Sequence, residues 1–301
     1  MQRIKGISPI IPTPYTRSEL VDYDSLRNML KNRAEAGVHA MTLFGIAGEY
    51  YKQSEAESRE MARVTVDECH KNNVPVVVSV TPHGTVPAIN QARYFEELGA
   101  DCIMVLPPFF MKPNAEMIYN HVKSIAKSVH SPVMVQYAPE QTGVTISPEV
   151  WIRLGQECEN LQYYKIECKP NGRYISDMIG KMKEKPSIFI GNCGYQMLEG
   201  FDRGAVGSMP CLVLAEVYLK VYEAYMRGDR EEAVRIHNDI LPLYNHIHQN
   251  VEMSIFYEKR MMQRRGIIET DCCRSPHFAS DAEYDKLFDQ YFATISEKYG
   301  L

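Results

Sequence analysis

Ala40-Met41-Thr42-Leu43-Phe44, then Ser54-Glu55-Ala56-Glu57, then Val76-Val77-Val78-Ser79-Val80: a short apolar run gives way to a helix start and then to a second apolar run. Ser54 and Glu57 have the spacing of a capping box, in which each side chain accepts a hydrogen bond from the other's backbone N–H. The same alternation extends outward in both directions. Apolar runs recur at Ile7 to Ile11, Cys102 to Leu106, Val133 to Gln136, Gln162 to Ile166, Ile188 to Ile190 and Ala205 to Met209, which makes eight candidate strands. Between them Leu26, Met29, Leu30 and Ala34 keep the 3–4 spacing of a buried helical stripe, and Gly37 supplies a stop. Ser147-Pro148 sets a cap and a first-turn proline.

Eight strands alternating with helices over about 210 residues predict an α/β fold, a parallel (β/α)8 TIM barrel, whose usual size is ~250 residues. The rival is an open doubly wound sheet. A dinucleotide-binding sheet of that kind wants G-x-G-x-x-G in its first β-to-α turn, and Pro12-Thr13-Pro14-Tyr15 lacks it. After Pro210 the strand signals cease, and 212–226, 230–248, 251–265 and 281–297 read as helices. The expected organisation is a catalytic barrel over 1–211 and a C-terminal helical extension over 212–301. Met261-Met262 and the Tyr-rich stretches of that extension read as core or subunit contact.

Composition narrows the function classes. The 301 residues are 45% hydrophobic and 24% charged with a net charge of -5, which excludes disorder and fibre and provides no basic stripe for nucleic acid. No run of 18 apolar residues exists, and Met1-Gln2-Arg3-Ile4-Lys5-Gly6 has no apolar signal core, so a cytoplasmic protein is expected and no membrane partner. The eight cysteines form no C-x-x-C pair. Several sit in apolar runs such as Asp101-Cys102-Ile103-Met104-Val105 and read as reduced thiols.

In such a barrel the chemistry lies at the C-terminal ends of the strands. In Leu161-Gln162-Tyr163-Tyr164-Lys165-Ile166-Glu167-Cys168, period 2 places Tyr163, Lys165 and Glu167 on one face and Tyr164, Ile166 and Cys168 on the other. The apolar face suits the surrounding helices, so Lys165 and Glu167 should point into the barrel mouth. Burial lowers a lysine pKa towards the range where the neutral amine attacks a carbonyl. The window therefore reads either as a Schiff-base lysine with a neighbouring carboxylate or as a salt-bridged edge strand. A second window, Phe44-Gly45-Ile46-Ala47-Gly48-Glu49-Tyr50, has two glycines three apart. That spacing permits either an ordinary turn or one whose backbone N–H groups converge on a carboxylate.

These windows, in this order, resemble the dihydrodipicolinate synthase / N-acetylneuraminate lyase family of pyruvate-type class I aldolases. Gly45-Ile46-Ala47-Gly48-Glu49 resembles its G-T-T-G-E turn, which holds the carboxylate of the 2-oxo acid, and Leu106-Pro107-Pro108-Phe109-Phe110-Met111-Lys112-Pro113 resembles its P-P-Y-Y-x-K-P loop. Pro139-Glu140-Gln141-Thr142-Gly143 resembles P-x-R-T-G, Tyr164-Lys165 matches the I-K of the Schiff-base strand, and Arg203-Gly204-Ala205-Val206-Gly207-Ser208 resembles the eighth-strand region. The resemblance implies that Lys165 forms an imine with a 2-oxo acid and that Gly45, Ile46, Ala47, Gly48, Gly191, Asn192 and Ser208 bind the substrate. It also implies a tetramer made of dimers.

The departures from the pattern are specific. Dihydrodipicolinate synthases use a Tyr-Thr-Tyr proton relay, and the corresponding positions are Gln136, Ile46 and Phe110, none of which passes a proton as a hydroxyl does. Gln141 replaces the arginine that would grip the carboxylate of aspartate semialdehyde. Tyr137 lies one residue beyond the relay position and enters the site only if the strand end bulges. Glu167 is left as the acid/base candidate, with Gln136 and Tyr137 beside it. Lys-x-Glu, Gln136-x-Ala138-Pro139 and the Arg203 to Pro210 segment are similar to the branch acting on 2-keto-3-deoxy sugar acids, notably the 2-keto-3-deoxyarabinonate dehydratases.

His237, His246 and His248 read as surface or core histidines, because residues two apart do not share a helix face. An imine lysine supplies its own electron sink, so neither metal nor cofactor is expected. The expected function is dehydration of a 2-keto-3-deoxy sugar acid, with retro-aldol release of pyruvate as the alternative and a non-catalytic 2-oxo acid sensor as a third reading.

Overall fold

Residues 3–301 are described by a computed structural model; Met1 and Gln2, the start of the unit read as 1–211, lie outside them. Strands β1 Gly6–Ile7, β2 Met41–Leu43, β3 Val76–Val80, β4 Cys102–Val105, β5 Val133–Tyr137, β6 Leu161–Ile166, β7 Ser187–Ile190 and β8 Gly207–Ser208 form one parallel sheet in the order β1-β8-β7-β6-β5-β4-β3-β2. The ring closes between β1 and β2 through a parallel bridge from Ile10 to Thr42, with Ile11 N–H donating to Thr42 O at 2.8 Å and Thr42 N–H to Pro9 O at 2.9 Å. The barrel predicted from the alternation is the fold.

Around the sheet run α1 Tyr23–Glu35, α2 Glu55–Lys71, α3 Thr85–Leu98, α4 Ala115–Ala126, α5 Pro139–Thr142, α6 Pro148–Glu157, α7 Asn171–Lys181, α8 Met197–Asp202 and α9 Ala215–Met226. They are followed by α10 Arg230–Ile247, α11 Val251–Arg264 and α12 Ala282–Tyr299. The Ser54–Glu57 capping box opens α2, and Gly37, at φ +86°, terminates α1 by donating to Ala34 O at 2.9 Å.

Strand alternation sorts side chains into two cores. Val77, Cys102, Met104, Met134, Tyr163, Phe189 and Met209 fill the barrel interior, while Val76, Val78, Ile103, Val105, Val135, Tyr164 and Ile166 pack outward under the helices. The interior plug leaves room for chemistry only at the mouth. One irregularity sits between β5 and β6: Val133 pairs with Leu161, but Met134 pairs with Tyr163, so Gln162 is the extra residue. Beyond it the register is regular, with Gln136 opposite Lys165 and Tyr137 opposite Ile166.

The helix α9, which the sequence reading groups with the C-terminal extension, packs on β1 and α10. The helix α11 reaches the Ile46–Gly48 turn and lies across the mouth. Among the described residues no helix is long and apolar enough to cross a membrane.

Candidate active site

The cavity at the mouth is lined by Lys165, Glu167, Ile46, Ala47, Asn192 and Gln141, among others. β6 delivers Lys165 to its floor, and Glu167 follows in the same phase, both buried. Lys165 Nζ lies 3.3 Å from Glu167 Oε1. Around this carboxylate the strand ends form a fixed shell: Gln136 Nε2 donates to Glu167 Oε2 at 2.6 Å and Asn192 N–H donates to Oε1 at 3.1 Å. The Asn192 side chain in turn donates to Glu167 O at 2.7 Å. Gly191 is required here, since a Cβ at that position would fall 2.1 Å from Glu167 Oε1.

The Gly45–Gly48 turn forms the opposite wall. Gly48 N–H donates to Gly45 O at 2.8 Å, whereas among the described residues the amides of Ile46 and Ala47 have no partner. Two adjacent unpaired N–H groups at a cavity wall suit a carboxylate. The turn is held from below by Glu49, a buried residue in the left-handed region at φ +58°. Its carboxylate pairs with Lys52 at 3.2 Å and with Lys259 of α11, which also donates to Cys272 O at 3.1 Å. Crowding the turn should therefore be costly. Gly48→Val would place Cβ 2.9 Å from Ile11 O, a backbone atom that cannot swing aside, and is expected to block trapping of a 2-oxo acid. Ala47→Ser is expected to leave trapping largely intact. Equal loss in both variants, with the fold preserved by circular dichroism, would place the anion elsewhere.

Other residues are placed differently. Tyr137 faces outward: it stacks on Tyr174 with ring centroids 4.8 Å apart, and its hydroxyl accepts from Ile146 N–H at 3.3 Å. The structure does not bring it into the cavity, because the irregularity of β5 and β6 lies at their start. Ser208 is buried beneath the site and donates to Ile190 O at 3.0 Å. Phe110 is 79% exposed on the loop after β4. His237 bonds Gly194 O at 2.9 Å and His246 bonds Tyr284 O at 2.9 Å, each with its own partner.

Four titratable residues that the sequence does not place here also line the cavity: Cys193, Cys211, His248 and Glu258. Glu258 carries a signal in hindsight, a carboxylate at helical spacing on the buried stripe of Ser254, Ile255, Met261 and Met262. It accepts from Leu212 N–H at 2.7 Å. Burial, and then the Cys193 sulfur, push its carboxyl up to about 8. A carboxyl raised in the folded state contributes stability that is intact below its unfolded value and lost as pH rises towards the folded one. At about 1.4 kcal/mol per pH unit, several kcal/mol disappear between about pH 4.5 and 8. Glu258→Gln is expected to flatten that dependence, raising the melting temperature at pH 8 more than at pH 5. An equal shift at both pH values would count against a protonated Glu258.

A closed (β/α)8 barrel with a buried lysine at the mouth of its sixth strand is the architecture of the class I aldolase type of lyase. Residues 3–294 match the family model of the dihydrodipicolinate synthetase family. The chain belongs to that family. It is 30% identical over 253 residues to the 4-hydroxy-tetrahydrodipicolinate synthase of Methanopyrus kandleri, covering 80% of this chain and 81% of that one. The enzyme of the same name from Aliarcobacter butzleri is 29% identical over 81% of this chain and 82% of its own. Among solved structures, dihydrodipicolinate synthase from Rhodopseudomonas palustris superposes with a TM-score of 0.90 at 23% identity, over 96% of this chain and 97% of that one. The Aquifex aeolicus synthase gives 0.90 at 24% identity over 99% of each.

Proposed function

We propose that this protein dehydrates a 2-keto-3-deoxy sugar acid through an imine on Lys165. The observation that carries the reading is the Glu167 carboxylate, 3.3 Å from Lys165 Nζ and held by Gln136 and Asn192, in a chain whose relay positions Gln136, Ile46 and Phe110 bear no hydroxyl. The substrate carboxylate binds the Ile46 and Ala47 amides. Lys165 attacks C2, water leaves, and the iminium stabilises negative charge at C3. Glu167 takes the C3 proton and returns it to the departing C4 hydroxyl, so the elements of water are lost from C3 and C4. A proton then leaves C5 as one is added at C3, the resulting C4=C5 enol of a C5 substrate takes a proton at C4 to become the aldehyde, and hydrolysis of the imine frees the lysine.

The curated relatives are named for a different synthesis, and Gln141 supports separating this chain from it. An amide lining the cavity offers no positive charge to a second carboxylate. A panel of C5 and C6 2-keto-3-deoxy acids, scored for pyruvate and for 2-oxo-aldehyde, tests the assignment: pyruvate as the main product would overturn dehydration in favour of retro-aldol cleavage. Capture of substrate without either product would instead indicate a sensor.

The same reading includes a cytoplasmic homotetramer. Phe110 and Met111, 79% and 83% exposed, support a subunit contact at the loop after β4. Sedimentation showing only monomer at micromolar concentration would contradict it.

A further inference from the structure

Cys193 and Cys211 are the feature of the mouth that the proposed dehydration does not use. Their sulfurs lie 3.0 Å apart, and both residues line the cavity. They come from separate elements. Cys211 follows β8 and is held by the barrel, since Ile10 bridges to it. Cys193 sits in the short 3₁₀ turn Asn192–Gly194 after β7, at φ +51°, a left-handed conformation that a residue with a Cβ adopts only when its surroundings hold it there. His248, from the end of α10, brings Nδ1 to 3.4 Å from Cys193 Sγ and 2.6 Å from Ser254 Oγ.

We infer that Cys193 and Cys211 form a thiol–disulfide site at the active-site mouth, which a peroxide oxidises with loss of turnover. Cys193 is the partly exposed member and Cys211 the buried one, which assigns attack to the first and resolution to the second. The hydrogen bond from Cys211, aided by His248, lowers the Cys193 thiol below the ordinary range, while the same contact and burial push Cys211 up.

The step balances. The Cys193 thiolate attacks one peroxide oxygen, the O–O bond breaks, and a sulfenic acid and hydroxide form; the hydroxide takes a proton from His248 and leaves as water. Cys211 sulfur then attacks the sulfenic sulfur, the S–S bond forms, the S–O bond breaks, and the thiol proton departs with the hydroxyl as a second water. Two thiols are oxidised and one peroxide is reduced.

Coupling to catalysis follows from chain adjacency. Asn192, next to Cys193, donates its backbone N–H to Glu167 Oε1 and its side chain to Glu167 O. Because Cys211 is anchored, bonding the sulfurs draws the Asn192–Gly194 turn towards β8 and disturbs the Glu167 carboxylate. A displacement of about 1 Å at a catalytic group costs up to about 10²-fold. This coupling rests on the role proposed for Glu167; formation of the disulfide does not.

The test uses the reduced full-length protein treated with hydrogen peroxide, blocked with N-ethylmaleimide and mapped by mass spectrometry, with turnover of the best 2-keto-3-deoxy acid measured before and after. The expected result is a Cys193–Cys211 peptide and a loss of turnover by about 10- to 10²-fold that dithiothreitol reverses. Cys211→Ser should stop at a sulfenic acid on Cys193 that dimedone captures. Both thiols still alkylated after peroxide would overturn the site, and a disulfide that leaves turnover unchanged would overturn the coupling. If the disulfide forms but the reduced protein converts no 2-keto-3-deoxy acid, the site stands and the substrate assignment falls.

Discussion

Lys165→Met is expected to abolish covalent capture of pyruvate under borohydride and to lower turnover by ~10⁵-fold or more, the advantage of holding a nucleophile and a carbonyl in one cavity. Lys165 is the lysine among the residues lining the inner cavity; Lys169 lies further out, 2.8 Å from Glu140. Methionine keeps the length and apolar stem of lysine but has no amine to attack C2. The substitution leaves Glu167 without its cation, yet Gln136 Nε2 and Asn192 N–H still donate to the carboxylate. The fold should therefore survive, and circular dichroism with a melting curve checks this. The intact mass after reduction is the direct measurement. A wild-type protein that gains no adduct, or a variant that still gains one, would remove Lys165 from the imine step.

Glu167→Gln is expected to separate capture from turnover. The amide oxygen still accepts from Asn192 N–H, so the side chain keeps its place, but it can no longer take a proton from C3 or return one to the C4 hydroxyl. A positioned general acid/base contributes roughly 10²–10⁴-fold, and turnover should fall by about that factor. Trapping on Lys165 should persist. Tyr137→Phe should be mild by comparison, since its hydroxyl accepts from Ile146 N–H on the far side of the strand and its ring packs on Tyr174. The opposite ranking of the two variants would transfer proton handling to a tyrosine and favour retro-aldol cleavage.

Much of the barrel was legible because its signals are local. A parallel strand covered on both faces reads as an apolar run, and a helix announces itself by spacing and caps; both survive without knowledge of neighbours. The two-residue strands β1 and β8 are shorter than the apolar runs that contain them, because pairing, and not hydrophobicity, defines a strand's ends. The phase of β6 was legible for the same reason: alternation separates Tyr163, Lys165 and Glu167 from Tyr164, Ile166 and Cys168, and the barrel interior and outer core divide accordingly.

The site was legible only as far as it belongs to strand ends and βα turns. Lys165, Glu167, Gln136 and the Gly45–Gly48 turn could be found from period and motif, since each sits where the barrel must place it. The outward packing of Tyr137 depended on where β5 and β6 are irregular, which is a property of paired strands and not of either alone. Ser208 was read as a substrate contact, yet only the approach of β7 decides that its hydroxyl is spent on Ile190 O. Lys259 beneath the turn, and Glu258 and His248 at the wall, come from helices far along the chain, and no local spacing tells which face of α11 will lie over a barrel mouth. Sequence by itself determined the strands, their facing and the lysine–carboxylate pair, because those follow from short-range periodicity. Tertiary structure alone decided what surrounds that pair, because a cavity is closed by side chains whose proximity exists only after distant elements pack.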